Sequence, residues 1–278
     1  MTGAATEPAR RTIRFAHMSL GATVSPGLLA TQAPIDREWA WGTATGRGVR
    51  VCVVDSGVDT THPMIGAGVQ SRAAVTRDTA NGPEWHIEDD TVGDVAGHGT
   101  ACAGVIRQFA PDCDLVSVRV LGNRLNGNGD ALLCALEWAV RERFQLVNVS
   151  LSTRHERFKE RLHDLADEAY FGGVTLVSAA HNSPVNSYPW RFPSVISVGS
   201  HAVARSDYLE FNPTPPVDFF APGVNIPVAW PGGTKHVSGN SFATPHVVGM
   251  CARILELHPQ FRTAQLRHVL SAVADNIR

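Results

Sequence analysis

Along the chain, short continuous apolar runs alternate with longer stretches in which apolar residues return every three or four positions. Val51 to Val54 is one such run; it ends at Asp55 with Gly57 just beyond, and predicts a buried strand that hands an acid to a loop at its carboxyl end. Leu115 to Leu121, Leu146 to Leu151, Val174 to Ala179 and Val195 to Val198 read the same way, rich in Val and Leu as strands covered on both faces are. Between them, Ala131, Leu132, Ala135, Leu136, Ala139 and Val140 predict one amphipathic helix. Phe158, Leu162, Leu165, Ala166 and Ala169 predict another, which Gly172-Gly173 ends. From Ser241, the apolar set Ala243, Val247, Val248, Cys251, Ile254 and Leu255 predicts a long helix, and Leu266, Val269, Leu270 and Val273 a terminal one after Pro259.

Strand and helix in alternation argue for an α/β fold: a doubly wound, predominantly parallel sheet flanked by helices in three layers. Its site should lie beyond the carboxyl ends of the strands, which is where Asp55 stands. Residues 1–30 show neither period and predict an irregular N-terminal arm, flexible or folded over the cleft as a restraint. Residues 31–278 contain no Pro/Gly/Ser-rich linker and are expected to form one domain.

Composition supports a sizeable core: of 278 residues, 44% are hydrophobic and 18% charged, which excludes a disordered or fibrous chain. A formal net charge of -2 with interspersed signs leaves no basic stripe, so neither nucleic acid nor an anionic membrane surface is expected as a partner. No stretch reaches the ~20 apolar residues of a membrane span. The segment after Arg10-Arg11 is broken by His17, Ser19, Thr23 and Pro26, so no signal peptide is expected. The five cysteines are dispersed without a C-x-x-C pair, which argues against a zinc site or disulfide framework and favours a cytoplasmic location. Two bridges and one thiol in a secreted chain would give the same count.

Three blocks carry the candidate chemistry: Val53-Val54-Asp55-Ser56-Gly57, Gly97-His98-Gly99-Thr100 and Gly239-Asn240-Ser241-Phe242-Ala243-Thr244-Pro245-His246. A serine hydroxyl becomes a useful nucleophile once an imidazole accepts its proton, and the imidazole needs a carboxylate to hold its tautomer. Read singly, Asp55 is a turn acid and Ser241 a helix N-cap; neither reading accounts for His98 beside them.

The blocks, in the order Asp, His, Ser, resemble the signatures of the subtilisin-like serine peptidases. Ser187-Tyr188-Pro189, Pro193 to Gly199 and Ala221 to Ile226 are similar to further segments of that family, and the likeness runs from about residue 32 to 278. It implies a serine endopeptidase with Asp55, His98 and Ser241 as its triad, and an oxyanion hole made by Asn182 with the Ser241 backbone. It implies a peptide bound as an extended strand between Gly127-Asn128-Gly129 and Ser150-Leu151-Ser152, with His181 beside the pocket where relatives carry glycine. Ser152 and Thr153 in place of a common Gly-Gly imply narrower specificity than that of a digestive enzyme.

No cofactor is expected. The family's strong calcium site is expected to be absent, because Met64 stands where relatives place an acid and the helix after His98 runs almost directly into Ala110-Pro111. Cys102 reads as a small buried hydrophobe. Glu84, Glu88, Asp89, Asp90 and Asp94 read as a solvated acidic loop. A peptide-precursor maturation protease is the narrower expectation, and a catalytically silent peptide-binding module on the same scaffold is the alternative. No G-x-S-x-G elbow surrounds Ser241 to suggest an esterase.

Overall fold

The computed structural model describes residues 13–14, 23–24, 34–80 and 82–277. The chain forms two compact units, Met1–Pro34 and Ile35–Arg278. In the first, β1 (Ile13–Arg14) and β2 (Thr23–Val24) pair antiparallel, Ile13 opposite Val24. Two-residue strands are too short to leave a period in the sequence, which is why this stretch read as irregular. The rest of the expected arm, and any restraint it places on the cleft, lie outside the described residues.

The second unit begins with α1 (Arg37–Ala40) and β3 (Arg50–Asp55). There follow β4 (Gln70–Thr79), β5 (Gly82–Asp89), α2 (His98–Phe109), β6 (Asp114–Arg119), α3 (Gly129–Arg141) and β7 (Leu146–Val149). Then come α4 (Lys159–Gly172), β8 (Thr175–Ala179), β9 (Ile196–His201), β10 (Glu210–Phe211) and β11 (Phe219–Pro222). The hairpin of β12 (Ile226–Trp230) and β13 (Gly233–Val237) leads into α5 (Asn240–Leu257) and α6 (Thr263–Ala272).

A nine-stranded sheet in the order β10-β11-β9-β8-β7-β3-β6-β4-β5 is parallel throughout its interior, with antiparallel partners at each edge. Side chains of β3 alternate between the two faces. Val51 and Val53 join a core with Cys102 and Ile106 of α2, Val247 and Val248 of α5 and Leu266 of α6. Cys52 and Val54 join the opposite core with Leu132 and Leu136 of α3 and Leu162 and Leu165 of α4. The expected three layers follow from this alternation.

Two departures have local causes. The apolar run to Leu121 leaves the ladder at Arg119, because the N–H groups of Val120 and Leu121 both turn to the Asp55 carbonyl, at 2.8 and 3.2 Å. The acidic segment is no solvated loop: Glu84, Glu88 and Asp89 lie on β5, half of an edge hairpin with Thr76 opposite Trp85. Asp90, its side chain 1% exposed, receives both Arg119 Nε and Nη2, at 3.1 and 3.0 Å.

Candidate active site

The carboxyl end of β3, the amino end of α2 and the amino end of α5 converge. Asp55 is the last residue of β3 and fully buried, His98 the first of α2 and 7% exposed, and Ser241 lies in the first turn of α5. His98 Nδ1 is 2.7 Å from Asp55 Oδ1 and its Nε2 is 2.9 Å from Ser241 Oγ, one continuous hydrogen-bonded chain. Burial works to lower the His98 pKa; the Asp55 charge and the hydrogen bonds on the ring outweigh it and hold the imidazole well above the ordinary value of 6.5.

Asp94 clamps this arrangement. Its Oδ1 accepts the N–H groups of Ala96 and Gly97 and the hydroxyl of Ser56, and its Oδ2 accepts the N–H and hydroxyl of Thr100. Ser56 Oγ in turn accepts the Gly99 N–H at 3.0 Å, while the Ser56 N–H donates to Asp55 Oδ1 at 2.8 Å. The free N–H groups that begin α2 are thereby tied to the residue beside Asp55. The contact is close enough to require glycine: a Cβ on Gly99 would lie 2.0 Å from the Gly57 carbonyl oxygen.

On the other side of Ser241, Asn182 Oδ1 accepts the Asn240 N–H at 2.9 Å. Asn240 secures that loop, donating from Nδ2 to the carbonyls of Ala180 and His181 while Oδ1 accepts from Ser200. With Oδ1 engaged, Asn182 Nδ2 is left for the cleft. Gly239, at φ 156°, adjoins both groups: a Cβ there would sit 3.4 Å from Ser241 Oγ and 3.6 Å from Asn182 Nδ2.

Pro245 supplies no N–H to the Ser241 carbonyl; Ser150 Oγ donates there at 2.9 Å and the Cys102 thiol at 3.5 Å. Burial pushes the Cys102 thiol pKa up, which keeps the proton it donates. Cys102 is thus more than the apolar filler its sequence context suggested. Asp55, His98 and Cys102 are the one grouping among the described residues with ligand atoms close enough for a metal, and those atoms are already engaged with one another and with Ser241.

A cleft of about 1010 Å³ runs over Ser241. Of the residues predicted from the sequence, His98, Ser241, Asn182, Gly127, Asn128, Gly129, Ser150, Leu151, Ser152 and His181 all line it, and Asp55 lies beneath. Some side chains are committed elsewhere: Asn128 caps α3, Ser152 Oγ donates to Ser187 Oγ, and His181 Nδ1 accepts the Ser183 N–H. Sequence reasoning missed Arg154, His155, Trp230, Lys235, His236 and Phe242 in the lining. The last is legible in retrospect, following Ser241 directly and packing its ring 4.8 Å from the His98 ring.

A parallel α/β sheet with an Asp–His–Ser chain at its carboxyl edge is the architecture of one class of serine hydrolase. The model of the subtilase family matches residues 46–277. Subtilisin of Bacillus pumilus is 31% identical over 246 residues, 83% of this chain and 85% of its own length. Subtilisin E of Bacillus subtilis is 31% identical over the same share of this chain and 61% of its own. A solved cold adapted subtilisin-like serine proteinase superposes with a TM-score of 0.66 at 30% identity, covering 84% of this chain and 86% of its own. The chain belongs to the subtilase family. It is a serine endopeptidase, and its substrates are peptides or proteins.

Proposed function

We propose that Ser241 is the nucleophile of this peptidase, with His98 its base and Asp55 the residue that orients and stabilises the imidazole. The unbroken hydrogen-bonded chain from Asp55 through His98 to Ser241 Oγ carries the reading. Ser241 Oγ attacks the scissile carbonyl carbon as its proton passes to His98 Nε2; collapse of the tetrahedral species breaks the C–N bond, and that proton leaves with the amine. Water then repeats the sequence on the acyl-enzyme and restores the hydroxyl. Asn182 Nδ2 and the Ser241 N–H, at the start of α5, form the oxyanion hole. The peptide lies as an added strand between Gly127–Gly129 and Ser150–Ser152.

A fluorophosphonate tests this. One adduct by intact mass, lost in both Ser241→Ala and His98→Ala, is the expected result. A folded chain that takes no adduct would instead be a silent peptide-binding module.

The biological setting proposed is limited processing of peptide precursors inside the cell, with no nucleic acid or membrane as partner. Unpaired cysteines support the location: Cys52, Cys102, Cys113, Cys134 and Cys251 are all free. No helix among the described residues is long and apolar enough to cross a membrane. Location of a tagged chain by fractionation tests the assignment.

No strong calcium site is proposed at the family position, since the Met64 thioether does not suit a hard cation. Thermal unfolding is expected to be the same in calcium and in EDTA; a clear fall in Tm on chelation would overturn this.

A further inference from the structure

The walls of the cleft carry one sign of charge. Arg154 and Lys235 line it, together with the titratable rings of His98, His155, His181 and His236, and no aspartate or glutamate is among the described residues of the lining. Composition does not produce this, because the chain holds 26 acidic against 24 basic residues. Nor are the two cations neutralised. Neither Arg154 nor Lys235 has a carboxylate partner among the described residues, and Lys235 Nζ instead rests 4.2 Å from the centre of the Trp230 ring. The acids nearest the lining in sequence are engaged elsewhere: Asp130 lies 3.7 Å from Arg157, and Glu156 is held by Lys159 at 3.6 Å and the Tyr188 hydroxyl at 2.9 Å.

The two cations come from different parts of the chain, Lys235 on β13 and Arg154 just after the Ser150–Ser152 edge. Trp230 packs against Gly97, immediately before His98, so Lys235 belongs to the His98 side. In acyl transfer that side receives the leaving amine, since His98 must protonate it. Arg154 continues the Ser150–Ser152 edge, from which the Ser150 hydroxyl reaches the Ser241 carbonyl; with the leaving amine on the His98 side, this edge is assigned the acyl portion of the substrate. Both side chains are exposed before a substrate arrives, and a bound peptide would cover them, strengthening whatever charge they meet.

We propose that this peptidase selects peptides bearing carboxylate side chains on both flanks of the scissile bond, read by Arg154 on the acyl side and by Lys235 on the leaving-amine side. The inference rests on the cleft being the catalytic site assigned above. A cleft lined by one sign of charge also concentrates oppositely charged ligands, so the selection should be sensitive to salt.

The experiment uses quenched fluorogenic peptides in matched sets that differ only by Glu against Gln, placed before the cleaved bond, after it, or on both sides. At low ionic strength the doubly acidic peptide is expected to show roughly tenfold higher kcat/KM than its Gln counterpart, with each Glu contributing part, and the advantage should shrink in about 0.5 M NaCl. Arg154→Glu should abolish or reverse the preference before the bond and keep the one after it; Lys235→Glu should do the converse. Equal cleavage of Glu and Gln peptides would overturn the inference, as would a preference that survives both reversals, or no cleavage of any peptide by a chain whose Ser241 takes a fluorophosphonate. Failure to take the fluorophosphonate would fall on the catalytic assignment itself.

Discussion

Pro245 stands four residues after Ser241 in α5 and leaves the carbonyl of Ser241 without its helical donor. Ser150, just beyond β7, fills that place from elsewhere in the chain, and its own hydroxyl oxygen accepts Asn148 Nδ2 at 2.9 Å. The backbone of the proposed nucleophile is therefore held by the edge along which the peptide is proposed to lie.

Ser150→Ala should strand the buried Asn148 amide and leave the Ser241 carbonyl with the weaker Cys102 thiol as its donor. Groups of this kind cost about 1–3 kcal/mol when stranded. The expected outcome is a lower midpoint of chemical denaturation together with a fall in kcat, and a variant as stable as the parent would show that the bond contributes little.

The raised pKa of His98 sets the pH profile. A base that must be neutral to accept the Ser241 proton works only above its own pKa, so kcat/KM should climb with pH along a limb whose midpoint lies above 6.5. Asp55→Asn removes the largest of the contributions that together outweigh burial, and should move that limb to lower pH while cutting kcat by about 10⁴-fold, the order seen when triad aspartates are replaced elsewhere.

Asn182→Ala removes the side-chain donor proposed for the oxyanion hole. Subtilisin itself, a relative of this chain, loses about 10²- to 10³-fold in kcat on losing its oxyanion asparagine, and the same loss with little change in KM is expected here. Gly239→Ala should also impair turnover, since a side chain strains the backbone at φ 156° and its methyl would come into contact with both Ser241 Oγ and Asn182 Nδ2. Steady-state kinetics on one peptide reads both variants.

His246, buried in α5, is held neutral: burial lowers its pKa from 6.5 to about 4, and its Nδ1–H donates to the Phe242 carbonyl at 3.1 Å. Between those values the unfolded chain binds a proton that the folded chain does not, so this residue makes stability fall as pH drops from about 6.5 towards 4. Its full contribution is about 3 kcal/mol. Denaturant titrations at several pH values should show a steeper acid loss for the parent than for His246→Gln.

Much of the site was legible before any coordinates. Asp55, His98 and Ser241 each sit in a short block whose neighbours are small, because backbone must come close there, and Gly99 against the Gly57 carbonyl is the physical case. Asn182 was singled out through the family resemblance, and the structure places it in the cleft lining with its Oδ1 on the Asn240 N–H. The supporting residues were not. Asp94 read as one more acid in a charged segment, and Asn240 drew no reading of its own, because nothing local marks a side chain whose partners are Ser56, Ser200 or Ala180. Cys102 read as filler for the same reason.

The periodic segments yielded the central strands and helices because burial on both faces of a sheet, or on one face of a helix, is written into consecutive residues. The β4–β5 and β12–β13 hairpins escaped, being edge or surface ribbons with only partly buried strands. The order of residues along the chain therefore determined the layers, the carboxyl edge that bears the chemistry and the three reactive side chains. The charge of the cleft was decided by folding: Arg154 and Lys235 stand far apart in sequence, one on a loop and one on a ribbon, and only the packing of β7, β8 and the β12–β13 hairpin around α5 brings both to the same cleft, with no aspartate or glutamate among the described residues of its lining.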